Sequence, residues 1–362
     1  MFQQPATAEP CFDAHVLPDE ILVHIFSFIA DGRTLLDSVP LVCSRWRSVG
    51  RDPLAWAGVT LRCRDSADAA RVLLHAPAVR SLHVDAAGWH ADDEAVADAR
   101  RRLASALRRT RAVVRRELRV TRSAWASLPG AGRLSAAELL WRQRRSLRRL
   151  DVFLDSGRPS LLTAIAQQQR LEVLNLDVGG DGVLYNGELA DGDLALRELR
   201  VRADRHHYGT KEPNLPGALV LDLLRGAAAT LRVLELDRRR DFPLDAIAQL
   251  QCVRDLALHC HLPGSWGEGD DDDEACEDVF AALQCCAKMD SPLQKLVVSL
   301  RRGKDTPFAF ELDVWIGRLV DNFSARRPEV EVEFYTDGAP EDDSCWEKDP
   351  DESSDSSDSD DA

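Results

Sequence analysis

Two hydrophobic rhythms divide the chain. From Leu17 to Trp56 the apolar positions recur at helical spacing. They run first as Ile21, Leu22, Ile25, Phe26 and Ile29, then as Leu35, Leu36, Val39, Val42, Cys43 and Trp46. Pro18 sits where a first helical residue belongs, because its missing N–H would be unpaired there in any case. Asp19 and Glu20 follow in the first turn, where the helix dipole favours negative charge. Gly32 predicts the end of this helix through a positive φ, and Pro40 predicts a split in the second apolar run. The stretch closes on Pro53-Leu54-Ala55-Trp56. Such short helices carry more apolar surface than roughly forty residues bury alone, so they need help from outside.

After Trp56 the rhythm changes. Val59 to Cys63 predicts a short strand, and Ser66 to His75 a helix capped by Ser66. A frame, apolar-x-x-Leu-x-apolar, then recurs. It begins at Val79, Leu147, Leu171, Leu196, Leu231, Val253 and Leu293, with shorter copies at Leu118-x-Val120 and Val332-x-Phe334. Each copy ends in alternation, as a strand with one buried face does. Helical stretches lie between the copies: Asp92 to Arg109, Ala136 to Arg145, Leu161 to Gln168, Ala218 to Arg225, Leu244 to Leu250, Asp278 to Ala287 and Phe310 to Phe323. Strand alternating with helix at this period predicts a leucine-rich-repeat solenoid, since no unit buries its own apolar face without a neighbour. A single α/β domain with a parallel sheet would also alternate, but would not require the same Leu-x-apolar frame in copy after copy. The Asn or Cys common after the frame is absent; Gly179, Asp204, Arg239 and His261 stand there. The repeats are therefore irregular, and an inner ladder of side-chain hydrogen bonds is not expected.

In order, Leu17-Pro18-Asp19-Glu20-Ile21-Leu22, Ile25-Phe26-Ser27-Phe28, Leu35-Leu36, Val42-Cys43-Ser44-Arg45-Trp46 and Pro53-Leu54-Ala55-Trp56 closely resemble the F-box motif. An ordinary helical cap would explain the apolar spacing. It would not explain Leu-Pro ahead of the helix, or Trp46 and Trp56 at the family's positions. The resemblance implies docking on the Skp adaptor of a cullin-based (SCF) ubiquitin ligase and, through it, on cullin and the RING subunit. Leu17, Pro18, Leu22, Ile25 and Phe26 would face the adaptor; Leu36, Val39, Val42 and Trp46 would be shared between that interface and the F-box's own core. An F-box followed by these repeats is similar to the leucine-rich-repeat subgroup of F-box proteins, which present a target to the ligase. The outward strand residues, among them Asn175, Asp177, Arg200, Arg202, Glu235, Asp237 and His259, would bind that target. The expected organisation is a flexible segment 1–14, a small all-α F-box 15–60, an α/β solenoid 61–336 and a disordered tail 337–362.

Charge refines the picture. The chain of 362 residues carries −15. Asp337 to Ala362 hold twelve acids and one Lys, and Glu268 to Asp278 hold eight acids. Without these two segments the body is mildly basic. The tail cannot bury enough apolar surface to fold, and Ser344 and Ser357 each precede an acid by three residues, the pattern of an acid-directed kinase. Ten arginines and one acid lie between Arg100 and Arg122, and Arg142 to Arg149 continue the run. Clustered arginine is the footprint of phosphate binding, yet Trp125 and Trp141 make a poor stacking platform. Solvated helix faces, an acidic or phosphorylated peptide, and nucleic acid are the expectations in that order. His206-His207 and the His259/His261 pair lack further ligands at zinc spacing, so no metal or other cofactor is expected. Nine cysteines include no C-x-x-C, which suits buried thiols in a reducing compartment. No run approaches a membrane span, and Met1 to Pro10 show no signal-peptide pattern, so cytosol or nucleus is expected. No hydrolase, P-loop, zinc-protease, kinase or RING signature occurs, and a non-catalytic adaptor is expected. A scaffold with no degradative role and a nucleic-acid-associated module are the alternatives.

Overall fold

The structure, a computed structural model, describes residues 17–63, 66–85, 94–121, 137–154, 159–179, 185–190, 192, 194–203, 217–238, 244–261, 281, 283–301 and 309–336. The segment 1–14, the tail with Ser344 and Ser357, His206-His207 and the acidic loop 264–277 lie outside them.

The N-terminal region folds as short helices: α1 (Asp19–Phe26), a π-helical turn (Thr34–Ser38), α2 (Val39–Val42) and α3 (Ser44–Val49). Pro18 precedes α1 and Asp19 and Glu20 fill its first turn. Pro40 sits in the first turn of α2, where a missing N–H costs nothing. Cys43, with extended backbone, caps α3 by accepting from Trp46 N at 3.4 Å. Gly32 does not end α1 and has no positive φ, a conformation confined to Gly187 among the described glycines. It opens the next helical turn, capped by Asp31, whose carboxylate accepts from Arg33 N at 3.0 Å and Thr34 N at 3.1 Å. Glycine is needed there for space: a Cβ would lie 2.8 Å from Val72 Cγ1 and 3.3 Å from Trp56. Trp56 is buried and donates from its indole to Gly50 O at 2.7 Å.

That close approach shows how the helices bury their apolar excess. Leu22, Phe26, Leu35, Trp56 and Val59 join Leu61, Val72 and Leu73 in one continuous core. Arg71 pairs with Asp37 at 2.6 Å, and Arg33 pairs with Asp68. The outside help is thus the first repeat, in which α4 (Ser66–His75) follows β1 (Thr60–Arg62).

Ten parallel strands follow one another in a single sheet: β1, β2 (Ala78–Val84), β3 (Val113–Val120), β4 (Arg149–Leu154), β5 (Val173–Val178), β6 (Glu198–Ala203), β7 (Val233–Arg238), β8 (Asp255–His261), β9 (Lys295–Arg301) and β10 (Glu331–Thr336). Their spatial order is their sequence order, without the reversal of a doubly wound sheet. Each copy of the frame supplies one strand. Its central leucines stack in register, Leu61, Leu82, Leu118, Leu150, Leu174, Leu199, Leu234, Leu256 and Leu296. The apolar residues of the seven full copies are no more than 4 % exposed, and each leucine so buried contributes about 1.5–3 kcal/mol of transfer free energy. Val332 and Phe334 are only half-buried, since no strand follows β10 among the described residues. Helices α5 (Glu94–Arg109), 137–142, Pro159–Ala166, Gly217–Ala227 and Leu244–Ala248 return the chain from strand to strand. Leu103, Leu139, Leu162, Leu223 and Ile247 from these helices close the same core.

A side-chain ladder does exist, at five of the turns that lead from a helix to its strand. Thr110 Oγ1 donates to Leu73 O at 2.6 Å. Gln143 donates to Ala112 O at 3.0 Å and accepts from Val114 N at 2.9 Å. Gln168 donates to Leu140 O at 2.9 Å, and Thr230 to Leu196 O at 2.7 Å. Arg327 reaches Met289 O at 3.0 Å and Ser291 O at 3.3 Å. In every case the receiving backbone belongs to the preceding repeat. Irregular residues thereby do the work that an invariant asparagine would do, because any side chain with a donor of the right reach satisfies a buried carbonyl.

Candidate interaction surfaces

The N-terminal helices leave an apolar surface uncovered. Ile21, Ile25 and Phe28 follow one another at helical spacing along α1 and its last turn, 44 %, 45 % and 74 % exposed. Leu41 and Val42 on α2 are 80 % and 58 % exposed, and Leu54 is also exposed. A cluster of large apolar groups in so short a stretch marks an interaction surface rather than scattered surface residues. Ring packing and an arginine bridge tie the rest of the region together. Phe26 packs edge-on against Trp46 with ring centroids 5.1 Å apart. Arg45 ties α3 to α1 through Asp19 at 2.7 Å and also donates to Leu17 O.

The residues that the resemblance aims at a partner divide by position. Pro18, Ile25 and Val42 are exposed, and Leu17, Leu36 and Trp46 are half-buried against the core. Leu22 and Phe26, each 1 % exposed, point inward, which corrects their assignment to the outer face, and Val39, 5 % exposed, belongs to the core side of its shared assignment. Ile21, Phe28, Leu41 and Leu54 were not picked out by motif position. The run 21, 22, 25, 26, 28, 29 is too wide for one stripe, and its second stripe, 21–25–28, was the available signal.

The second surface is the face of the sheet opposite the frame leucines. Asn175, Arg200 and Glu235 share one register row, Asp177 and Arg202 another, and Asp237 pairs with His259. The proposed target-binding residues are thus brought together, but two of them are not outward. Glu235 and Asp237 are 8 % and 2 % exposed. Long neighbouring side chains fold over a short carboxylate on a strand, so alternation gives the face and not the exposure. Glu235 accepts from Arg202 Nε at 2.8 Å and lies 3.5 Å from both Arg200 and His259. Burial alone would raise its carboxyl, but the hydrogen bond from His259 and the Arg202 guanidinium outweigh it and hold it at about 2. His259 Nδ1 meets Ser299 Oγ at 2.7 Å. Ser299 is 4 % exposed, so this hydroxyl–imidazole–carboxylate series orients His259 and offers no open hydroxyl to a substrate.

A like cluster occupies the other half of the face. Asp151 accepts from Asn175 at 2.7 Å and from Arg149 at 3.3 Å, with Arg119 at 3.5 Å. Glu117 is held below the usual carboxylate range, chiefly by His83, with burial opposing and Arg149 and Arg119 adding to the effect. Part of the arginine run is thus paired within the chain. Arg101 and Arg102 pair with Asp98, and Arg148 with Glu172 at 3.2 Å. Arg142 donates to Leu107 O at 2.9 Å and to Thr110 O, capping the C-terminal end of α5, where the helix dipole favours a cation. Between the Glu235 cluster and β9 lies a shallow open depression beside Ala257, bordered by Arg200, Glu235, Asp255, Lys295 and Val297. Among the described residues no helix is long and apolar enough to cross a membrane.

A family model of F-box-like domains matches residues 14–62. The chain is thus an F-box-like helical region followed by a strand-rich α/β part with a parallel sheet. A search of curated proteins finds no match to the chain.

Proposed function

We propose that this protein is the target-binding subunit of an SCF ubiquitin ligase. Its F-box-like region docks on a Skp-type adaptor, and its repeats form a leucine-rich-repeat solenoid whose open face holds the target. The observation that carries the reading is the exposed apolar surface of Ile21, Ile25, Phe28, Leu41, Val42 and Leu54 within the very stretch that matches the F-box-like family. A specific interface needs such a desolvated apolar centre, with a few anchors supplying most of the energy. The ordered charges of the open face supply specificity by complementarity. The chain's contribution to ubiquitin transfer is proximity: a target held near a ubiquitin-conjugating enzyme reacts as if intramolecular. The protein needs no chemistry of its own for this, and works in the cytosol or nucleus.

The test is co-purification from cell extract with the proteasome blocked, comparing wild type with Ile25→Asp/Leu41→Asp. Both positions are exposed, so the thermal melt should not move. The adaptor and cullin should accompany wild type and be lost with the double variant. If wild type captures no adaptor, the ligase assignment is wrong. A partner whose half-life is unchanged when the chain is depleted would instead support a scaffold.

A further inference from the structure

We propose that the chain's own acidic C-terminal segment, residues 337–362, docks across a bare arginine row formed by Arg197, Arg232 and Arg254. The row arises from the repeat. The residue after the first apolar position of each frame lies at the start of a strand, and its N–H donates to the same position of the preceding repeat. These bonds run Glu172 to Arg148 at 2.8 Å, Arg197 to Glu172 at 2.7 Å, Arg232 to Arg197 at 2.8 Å, Arg254 to Arg232 at 2.8 Å and Gln294 to Arg254 at 2.7 Å. Equivalent positions are therefore one strand apart, roughly 4.8 Å. Arg148 and Glu172 neutralise each other at 3.2 Å. Arg197, Arg232 and Arg254 are all exposed, and none has an ion pair or side-chain hydrogen bond among the described residues.

Like charges abreast on neighbouring strands repel. At the Asp151 and Glu235 clusters of this sheet the problem is avoided, since each carboxylate sits among the arginines that face it; in the row itself Arg116 and Arg148 also lie abreast, Arg148 N donating to Arg116 O at 3.0 Å. Three unneutralised guanidinium groups in register thus form an anion-binding stripe. It runs across the strands, so it suits an extended acidic chain laid perpendicular to them and held by side chains.

Charge and tether length select the occupant. Residues 337–362 carry twelve acids against one Lys and continue directly from β10. From Thr336 the row lies about one strand length, roughly 20 Å, down the sheet, and two to four strands across, roughly 10–19 Å. Twenty-six residues can extend over roughly 85 Å, so the serine- and aspartate-rich end reaches all three arginines. The acidic stretch 268–278 is tethered at both ends between β8 and β9, and is the less suitable occupant. Phosphate on Ser344 or Ser357 would add charge that arginine pairs with well. The docked tail would screen the lower rim of the sheet, and an acidic partner would have to displace it. This inference stands apart from adaptor binding.

The test titrates a fluorescent peptide of sequence 337–362 into the full-length chain at about 0.05 M salt, where surface charges are weakly screened. Three forms are compared: wild type, a form with its tail acids changed to amides, and that form with R197Q/R232Q/R254Q. The amide-tail form should bind the peptide about tenfold more tightly than wild type, whose tethered tail competes. The triple arginine variant should lose about tenfold of that affinity. A control, R108Q/R109Q/R111Q, should bind as the amide-tail form does, and melts should show all forms folded. Equal binding by wild type and the amide-tail form would refute docking in cis. Binding that survives the triple variant, or that fails in the control, would refute the row as the site. An affinity gain that instead follows neutralising Asp270 to Glu274 would assign the row to the internal acidic stretch and overturn the proposal.

Discussion

Gln143→Leu should be among the most damaging single changes in the repeats, although Gln143 is in no motif. The side chain is 4 % exposed, and leucine, although one atom shorter and branched at Cγ, replaces it with apolar bulk, so lost hydrogen bonds and not lost volume dominate the change. What it removes is chiefly the pair of backbone bonds to Ala112 O at 3.0 Å and from Val114 N at 2.9 Å, with a weaker one from Ser146 Oγ at 3.2 Å. Each bond contributes about 1 kcal/mol net, but each backbone group left buried and unpaired costs about 1–3 kcal/mol. The expected loss is therefore about 3 kcal/mol, where a solvent-facing Gln→Leu would cost less than about 0.5 kcal/mol. Thr230→Val is the reference. Thr230 is exposed and donates chiefly to Leu196 O, so about 1 kcal/mol or less is expected. Urea denaturation followed by circular dichroism gives both values, as midpoint shifts at unchanged slope. The two sites lie in different repeats and share no partner, so the double variant should be additive. A Gln143→Leu protein no less stable than Thr230→Val would refute the view that the helix-to-strand ladder holds neighbouring repeats together.

Acid should act through Glu235, whose carboxyl sits at about 2 against an ordinary 4.5. A depressed carboxyl contributes stability that is complete above the unfolded value, so about 3 kcal/mol should be lost as pH falls from 4.5 towards 2. Glu235→Gln should flatten that part of a stability–pH curve. Gly58→Ala would place a Cβ 2.2 Å from Ser27 O. Backbone must move to relieve the clash, so a loss of about 2–3 kcal/mol is expected in a thermal or urea melt. Phe26→Ala, which empties a fully enclosed site, should cost about 3–5 kcal/mol. Phe28→Ala should leave stability within about 0.5 kcal/mol while weakening adaptor capture, a separation that a melt and a co-purification read independently.

Much of this architecture was legible from local pattern. The Leu-x-apolar frame located strands β2 to β10, and the intervening apolar periodicity located helices such as Gly217–Ala227 and Ala309–Arg326 to within a few residues. Both follow from the 2.0 and 3.6 residue periods of the backbone, which need no knowledge of neighbours. The same reasoning found that Asn175, Arg200, Glu235 and His259 share a face. It misjudged Gly32, because a glycine needed for room beside Val72 reads in sequence like a glycine needed for its φ.

By itself, the sequence determined the order of elements, the face of each strand that carries leucine, and an N-terminal helical stretch of F-box-like pattern. Only the tertiary structure decided which of two apolar stripes on α1 is buried, leaving Ile25 and Phe28 outside and Leu22 and Phe26 within. It also decided that Arg142 caps a helix, that Glu235 is covered while Arg197, Arg232 and Arg254 stand bare, and that Gln143 joins two repeats. The physical reason is range. Periodicity acts over a few residues, whereas burial and pairing depend on which groups another repeat brings alongside. In this chain the joining bonds span separations such as 31 residues for Gln143 and 34 for Thr230.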